Sequence, residues 1–284
     1  YGIDFTPYFS RVNAINPMSC ENNTYTMNGL CYTSDGTDYT ELVKAELGIE
    51  ENGETPARLD SAKAEEYKQQ AIEELTAQGV TFPVEMDYYI AASNQTALDT
   101  ATVLAQCISD SMGDDFVVLN IGTYVSSVQQ EVYDPKLESI AITGWIPDYG
   151  DPQNYLIQET INNDNAFYTN LVSNVNDLEE NDVTKPVLDM YTEFTNMVAE
   201  ADAVTDLDER YAAYAKAEAY MLDHAMNIPI YHDIGWVLTK INPYSKMNAV
   251  YGIQNWKMKN WETNSNGYTE ADLAEDVAAH ASSK

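Results

Sequence analysis

The sequence predicts an α/β fold on two observations. Helical and strand periodicities alternate between residues 60 and 142, and 44% of the 284 residues are hydrophobic, enough for a proper core. A third observation bounds the class: no apolar run approaches the roughly 20 residues needed to span a bilayer.

Residues 1 to about 20 read as the end of a helix followed by an irregular stretch. From about Asn16 to Thr55 the chain is rich in Asn, Thr, Gly and Ser, with a short helix over Tyr39 to Leu47. A loop region this long is usually functional or a crossing between domains. Asp60 or Ser61 then caps a helix with Tyr67, Ala71, Ile72 and Leu75 on one face and Gly79 at its end. Phe82, Val84, Met86, Tyr88 and Ile90 alternate with other residues, the period of a strand with one buried face. The helix from about Gln95 to Met112 places Ala97, Ala101, Leu104, Ala105 and Ile108 on an apolar stripe. Phe116 to Leu119 reads as a buried strand, Tyr124 to Val132 as a short helix and Ser139 to Ile142 as another strand, the spacing of βαβ units. Asn162 to Asp182 carries little periodicity. Two long helices follow, marked by Val187, Leu188, Tyr191, Phe194 and Met197, then by Leu207, Tyr211, Tyr214, Ala215 and Leu222. Short strands are expected at Ile228 to Tyr231 and at Trp236 to Leu238, and an amphipathic helix over Ala271 to Ala281.

Charge narrows the partners. With 46 acidic and 14 basic residues the formal charge is −32, a field that repels phosphate backbones and anionic membranes and so disfavours nucleic acid. The acids are spread along the chain, a solvated surface that suits a protein working outside a cell. Cys20 and Cys31 flank a polar stretch and could close a small disulfide loop in an oxidising compartment. Cys107, within a helical pattern, reads as an inert buried thiol. Three cysteines without a CxxC pair do not make a structural zinc site.

The densest constellation is Gly144-Trp145-Ile146-Pro147-Asp148-Tyr149-Gly150-Asp151-Pro152. It follows an expected strand, and open α/β sheets place their ligands at such strand ends. Trp145 offers a broad apolar face, and Asp148 a carboxylate for a ligand cation such as a peptide's terminal ammonium. The same residues also fit a turn of Gly, Pro and Asp above a core tryptophan, and composition alone leaves both open.

Gly144-Trp145-x-x-Asp148-Tyr149-x-x-Pro152, followed by Asn154-Tyr155-Leu156, resembles the signature of the family 5 extracellular solute-binding proteins, receptors for ABC importers of oligopeptides, dipeptides and nickel. Three other stretches resemble family elements in the same order: Tyr1-Gly2-Ile3-Asp4, a helix that closes the first lobe; Asp60 to Gly79, with Ala64 and Leu75 in equivalent roles; and Ala217-Glu218 through Ile228-Pro229-Ile230-Tyr231. The match runs over most of residues 1 to 265. It implies one lobe of a two-lobed, periplasmic-binding-protein-like fold over residues 20–238, with 1–19 and 239–284 belonging to the other lobe, whose main body would precede residue 1. It also implies ligand-binding roles for Gly144, Trp145, Ile146, Asp148 and Tyr149. Trp145 would line the cleft, Asp148 would hold the peptide's α-ammonium, and the backbone of Gly144 and Ile146 would bond the peptide main chain. Pro147 stands where a small residue is usual and removes one N–H. Ile142 stands where some oligopeptide binders carry a basic residue that reaches the peptide's C-terminus.

The implied function is capture of an extracellular oligopeptide for ABC permease subunits, by a secreted protein, a cell-surface lipoprotein or a periplasmic one. It requires no cofactor, no metal and no catalytic residue, and meets the membrane only through an anchor outside this chain. Such a fragment would carry half a site and bind weakly, because clefts of this kind desolvate their ligand from both faces. Nickel and oligosaccharide are the alternative ligands. His224, His232 and His280 are not grouped for nickel, and the tyrosines and tryptophans suit sugars. Asp148 with Asp151 could serve a hydrolase, but the sequence has no nucleophile elbow, no His-Glu-x-x-His pair and no P-loop.

Overall fold

The structure, a computed structural model, describes residues 1–232, 240–245, 261–263 and 266–282. It divides into two compact units, Tyr1–Thr143 with Asp151–Ile234, and Gly144–Gly150 with Gly235–Lys284.

The first unit is built around a parallel strand pair, β1 (Val84–Ala91) and β2 (Val117–Tyr124), in register from Val84↔Val117 to Ala91↔Tyr124. The helix between them, α4 (Gln95–Met112), starts where the Asn94 side chain accepts from Ala97 N–H. It buries Ala101, Leu104, Cys107 and Ile108, the i, i+3, i+4 stripe of a helix with one apolar face. Against it lies α1 (Thr6–Val12), whose Tyr8 and Phe9 join Cys20, Leu104, Cys107, Val117 and Leu119 in one core cluster. Within the strand pair, Gly122 is opposite Tyr89, and a Cβ at 122 would collide with the Tyr89 ring. The glycine is needed there because the aromatic ring occupies its side-chain space.

Helix α2 (Tyr39–Leu47) is capped by Asp38, which accepts from Thr40 N–H, and ends at Gly48 in the left-handed region. It packs against α8 (Leu207–Asp223), which also packs against α7 (Lys185–Asp202). This side buries Tyr39, Val43, Tyr191, Phe194, Val198, Tyr211, Tyr214 and Met221. Helix α3 (Ser61–Ala77), capped by Asp60, half-buries Ala71, Ile72 and Leu75 of the predicted stripe, together with Ala64. Tyr67 departs from it, half exposed, with its ring 6.2 Å from that of Tyr1. Two short helices, α5 (Gln153–Leu156) and α6 (Phe167–Leu171), fill the irregular stretch before α7. In the second unit, α9 (Glu270–Ser282) opens on a reciprocal cap: Asp272 accepts from Thr269 N–H and Thr269 Oγ1 accepts from Asp272 N–H.

Four expected elements differ. Ser139 to Ile142 is not a strand, because Ser139 N–H and Ile140 N–H both bond the Asp87 carbonyl while Asp87 N–H bonds Ser139 Oγ. A side chain has replaced the backbone partner, so no ladder propagates. Ile140 and Ile142 are apolar because they cover the core cluster. Tyr124 to Val132 holds no α-helix; Glu131 instead folds back onto the N–H groups of Val125, Ser126 and Ser127, and a π-turn covers Gln129–Tyr133. Ile228 to Tyr231 forms one antiparallel bridge, Tyr231 with Glu21, since Pro229 has no N–H to extend a ladder. Tyr1 to Asp4 precedes the first helical turn instead of lying within it. The strand expected at Trp236 to Leu238 lies outside the described residues.

Cys20 and Cys31 are both buried thiols, and no disulfide joins them. They lie in separate parts of the interior: Cys20 in the cluster of α1 and α4, Cys31 hydrogen-bonded with Tyr211 of α8. Burial pushes the Cys31 thiol up to about 12, which keeps it protonated and unreactive. Cys107 is buried as expected.

Candidate functional site

The segment from Gly144 to Gly150 is irregular, with a bend from Asp148. Its side chains divide by exposure. Pro147 is buried and Trp145 half-buried, whereas Asp148 is exposed, Ile146 is 61% exposed and Tyr149 44%. A β-branched apolar residue and a phenol are thus open to solvent, with the carboxylate between them exposed as well.

The flanking residues are held within the first unit. On the N-terminal side, Ser139 and Ile140 bond to Asp87 of β1 as described. On the C-terminal side, Asp151 caps the first turn of α5 by accepting from Gln153 N–H at 2.9 Å, and takes Arg210 Nε at 3.2 Å and Nη2 at 3.4 Å. Arg210, on α8, also reaches Asp202 at 2.9 Å and Tyr214 Oη at 3.0 Å. One planar guanidinium thus serves two carboxylates and a phenol, a geometry that its fork of donors permits and an ammonium does not. Asp151 is committed to this ion pair.

Below these contacts lies a group of buried acids that the sequence did not single out as such. Glu218, fully buried on α8, accepts from Tyr25 N–H at 2.8 Å, Thr26 N–H at 3.0 Å, Thr26 Oγ1 at 2.6 Å and Tyr39 Oη at 3.0 Å. Burial raises its pKa against the pull of these four donors. It is the Glu of the Ala217-Glu218 motif, and its work is to tie the loop before α2 onto α8. Glu159, 5% exposed, accepts from Asn227 Nδ2 at 3.1 Å and from Tyr25 Oη at 3.4 Å. Burial pushes its carboxyl up to about 7. The signal that could have found Glu218 is a charged residue on the apolar face shared by Tyr211, Tyr214, Ala215 and Met221.

The histidines are dispersed. His224 stacks on Tyr220 with ring centroids 3.9 Å apart, His280 stacks on Tyr244 at 4.3 Å, and His232 follows the Tyr231 bridge. No group of three or more His, Cys, Asp or Glu able to hold a metal ion is found among the described residues. No helix among them is long and apolar enough to cross a membrane.

Comparison with known proteins defines the class first. No family model matches the chain. The fold is that of periplasmic-binding-protein-like solute receptors. It superposes with a TM-score of 0.55 on the substrate-binding domain of an oligopeptide ABC transporter from Bacillus anthracis, at 20% identity over 78% of this chain and 36% of that one. It matches the crystal structure of a peptide-binding protein of a peptide ABC transporter equally well, with a TM-score of 0.55 at 18% identity, covering 81% of this chain and 93% of that one.

The particular relatives are more specific. The chain is 28% identical to the oligopeptide-binding protein SarA of Streptococcus gordonii, over 92% of this chain and 41% of that protein. It is 30% identical to the oligopeptide-binding protein AliB of Streptococcus pneumoniae, over 68% of this chain and 31% of that protein. Its homologues are therefore oligopeptide-binding proteins, and the chain spans about two fifths or less of the length of these two.

Proposed function

We propose that this chain carries one face of an oligopeptide-binding site and belongs to the substrate-capturing component of an ABC importer. The observation that carries the reading is homology to oligopeptide-binding proteins across 92% of the chain, including the Gly144–Pro152 segment with its exposed Asp148. Asp148 receives the α-ammonium of the peptide, a charge-assisted contact roughly twice as strong as a neutral hydrogen bond. Trp145 and Tyr149 supply apolar surface to the first residues of the peptide, and the backbone of Gly144 and Ile146 bonds its main chain. Pro147 offers no N–H, so the peptide meets acceptors and apolar surface at that point. Residues 20–238 form the lobe and residues 1–19 and 239–284 are segments of a second lobe. Within this chain Tyr8 and Phe9, in the first of those segments, pack on α4. The partners are the peptide and the importer's permease subunits, the setting is extracellular, surface-anchored or periplasmic, and the protein binds without catalysing.

Titration calorimetry with a pool of short peptides, free or acetylated at the N-terminus, tests this on the native protein and on Asp148→Asn. Free-amine peptides bind, and either acetylation or Asp148→Asn weakens them about tenfold, ~1.4 kcal/mol, with little further loss when combined. Equal affinity for free and acetylated peptides would remove Asp148 from the role. Heat from oligosaccharides but from no peptide would overturn the ligand class and leave the fold.

A further inference from the structure

A cavity of about 250 Å³ opens in the first unit, with none of residues 144–150 in its wall. That is below the roughly 300–1,000 Å³ of pockets that enclose drug-sized ligands, and so too small for a peptide. Its wall combines the segment Met18 to Thr24, Thr40 and Lys44 of α2, Glu51 and Gly53 beyond that helix, and His232.

Three groups in this wall have fixed positions and spare hydrogen-bonding capacity. Asn23 is 2% exposed and its Nδ2 donates to Glu51 Oε1 at 2.7 Å. An ionised carboxylate can only accept, so the amide cannot be turned, and Oδ1 is left as an acceptor with no hydrogen-bond partner among the described residues. Lys44, its side chain 14% exposed, is held by Glu41 at 3.0 Å and Glu51 at 2.9 Å, which leaves one of its three N–H donors unused. His232 is anchored by its backbone N–H to the Cys20 carbonyl at 2.7 Å, while its ring nitrogens have no hydrogen-bond partner among the described residues. Burial lowers the His232 pKa, so the ring is neutral and offers one donor and one acceptor. Glu51 stays ionised: burial works to raise its pKa, but the bonds from Asn23 and Lys44 outweigh it and hold it low.

The wall therefore presents a cation, carboxylates and an oriented amide oxygen within a small volume. The wall has no Trp, Tyr or Phe for a sugar to stack on. We propose that this cavity is a second ligand site, for a small zwitterion of the free α-amino acid type. The ligand carboxylate meets the spare Lys44 N–H, and its ammonium meets Asn23 Oδ1, with Glu21 and Glu51 supplying compensating charge. The site needs nothing from the peptide-binding reading and can stand if that reading fails.

The chain has only three histidines, so imidazole NMR resonances give a direct readout on the unmodified protein. Serine, glutamine and glutamate are titrated in turn, then methylamine and acetate alone, then glucose. At least one amino acid should shift the His232 ring resonances saturably, leaving those of His224 and His280 in place. The single-ended compounds should need at least tenfold higher concentration. Asn23→Ala should weaken the effect at least tenfold. Asp148→Asn should leave it unchanged, which separates this cavity from the segment proposed for peptides. A His232 response to none of the amino acids, or an equal response to glucose or to acetate alone, would overturn the proposal and mark the cavity as filled by water.

Discussion

Glu159 and Glu218 are buried with no basic residue among their hydrogen-bond partners in the described residues, and they share Tyr25, whose backbone N–H serves one and whose phenol serves the other. The folded-state pKa of Glu159, about 7, lies above the ordinary 4.5, so its protonated form is favoured by folding. The stability it contributes is fully present below about pH 4.5 and is lost as pH rises through about 7, on the order of 3 kcal/mol in all. Glu218 is raised in the same direction. Urea denaturation at pH 5 and pH 8 should show Glu159→Gln with a smaller loss between the two than the native protein; an unchanged difference would place the proton elsewhere. Glu218→Ala leaves four donors without their acceptor and should cost about 3–5 kcal/mol by the same assay. The buried thiols should resist a thiol reagent until the protein unfolds. At this scale the sequence was legible for charge but not for partners. Asp151 with Arg210, and Glu218 with Thr26, pair across 59 and 192 residues, and no local pattern encodes such distances.

Elements were the most legible level, wherever a cap and a period agreed. The helix at Gln95–Met112 has Asn94 in front and a regular apolar stripe, and it forms over the expected residues. Asn94→Ala should cost about 1 kcal/mol, read as a lowered urea midpoint with unchanged slope. A change in slope would mean that the substitution altered more than the cap. The misread segments are those in which side chains took over backbone bonding. Glu131 gathers three N–H groups where a helix was expected, and these bonds hold its pKa at about 2. Glu131→Gln should speed amide exchange at Val125, Ser126 and Ser127 while leaving α4 protected. Ser139 likewise supplies a hydroxyl where a strand would supply a carbonyl, and an alternating apolar run cannot reveal that substitution.

For the whole molecule, the formal charge of −32 acts on the fold itself by self-repulsion. Raising salt from about 0.02 M to about 0.3 M shortens the screening length to well under ~10 Å, and the melting temperature should rise by several degrees in scanning calorimetry. A flat response would mean that the acids are already compensated locally. The α/β class and the relationship to oligopeptide receptors were legible from a short motif and three stretches in order, in a chain 28–30% identical to the relatives. The extent of the sheet was not, since whether an apolar run becomes a strand depends on a neighbour with free backbone groups.

The Tyr89 ring over Gly122 has a consequence for how such chains can diverge. Neither position can drift alone: a methyl group at 122 evicts the phenol, and a smaller residue at 89 leaves a notch over bare backbone. Lineages that share this strand pair should therefore exchange the two residues together, an aromatic with glycine or two small side chains, so that the pair evolves as a single character.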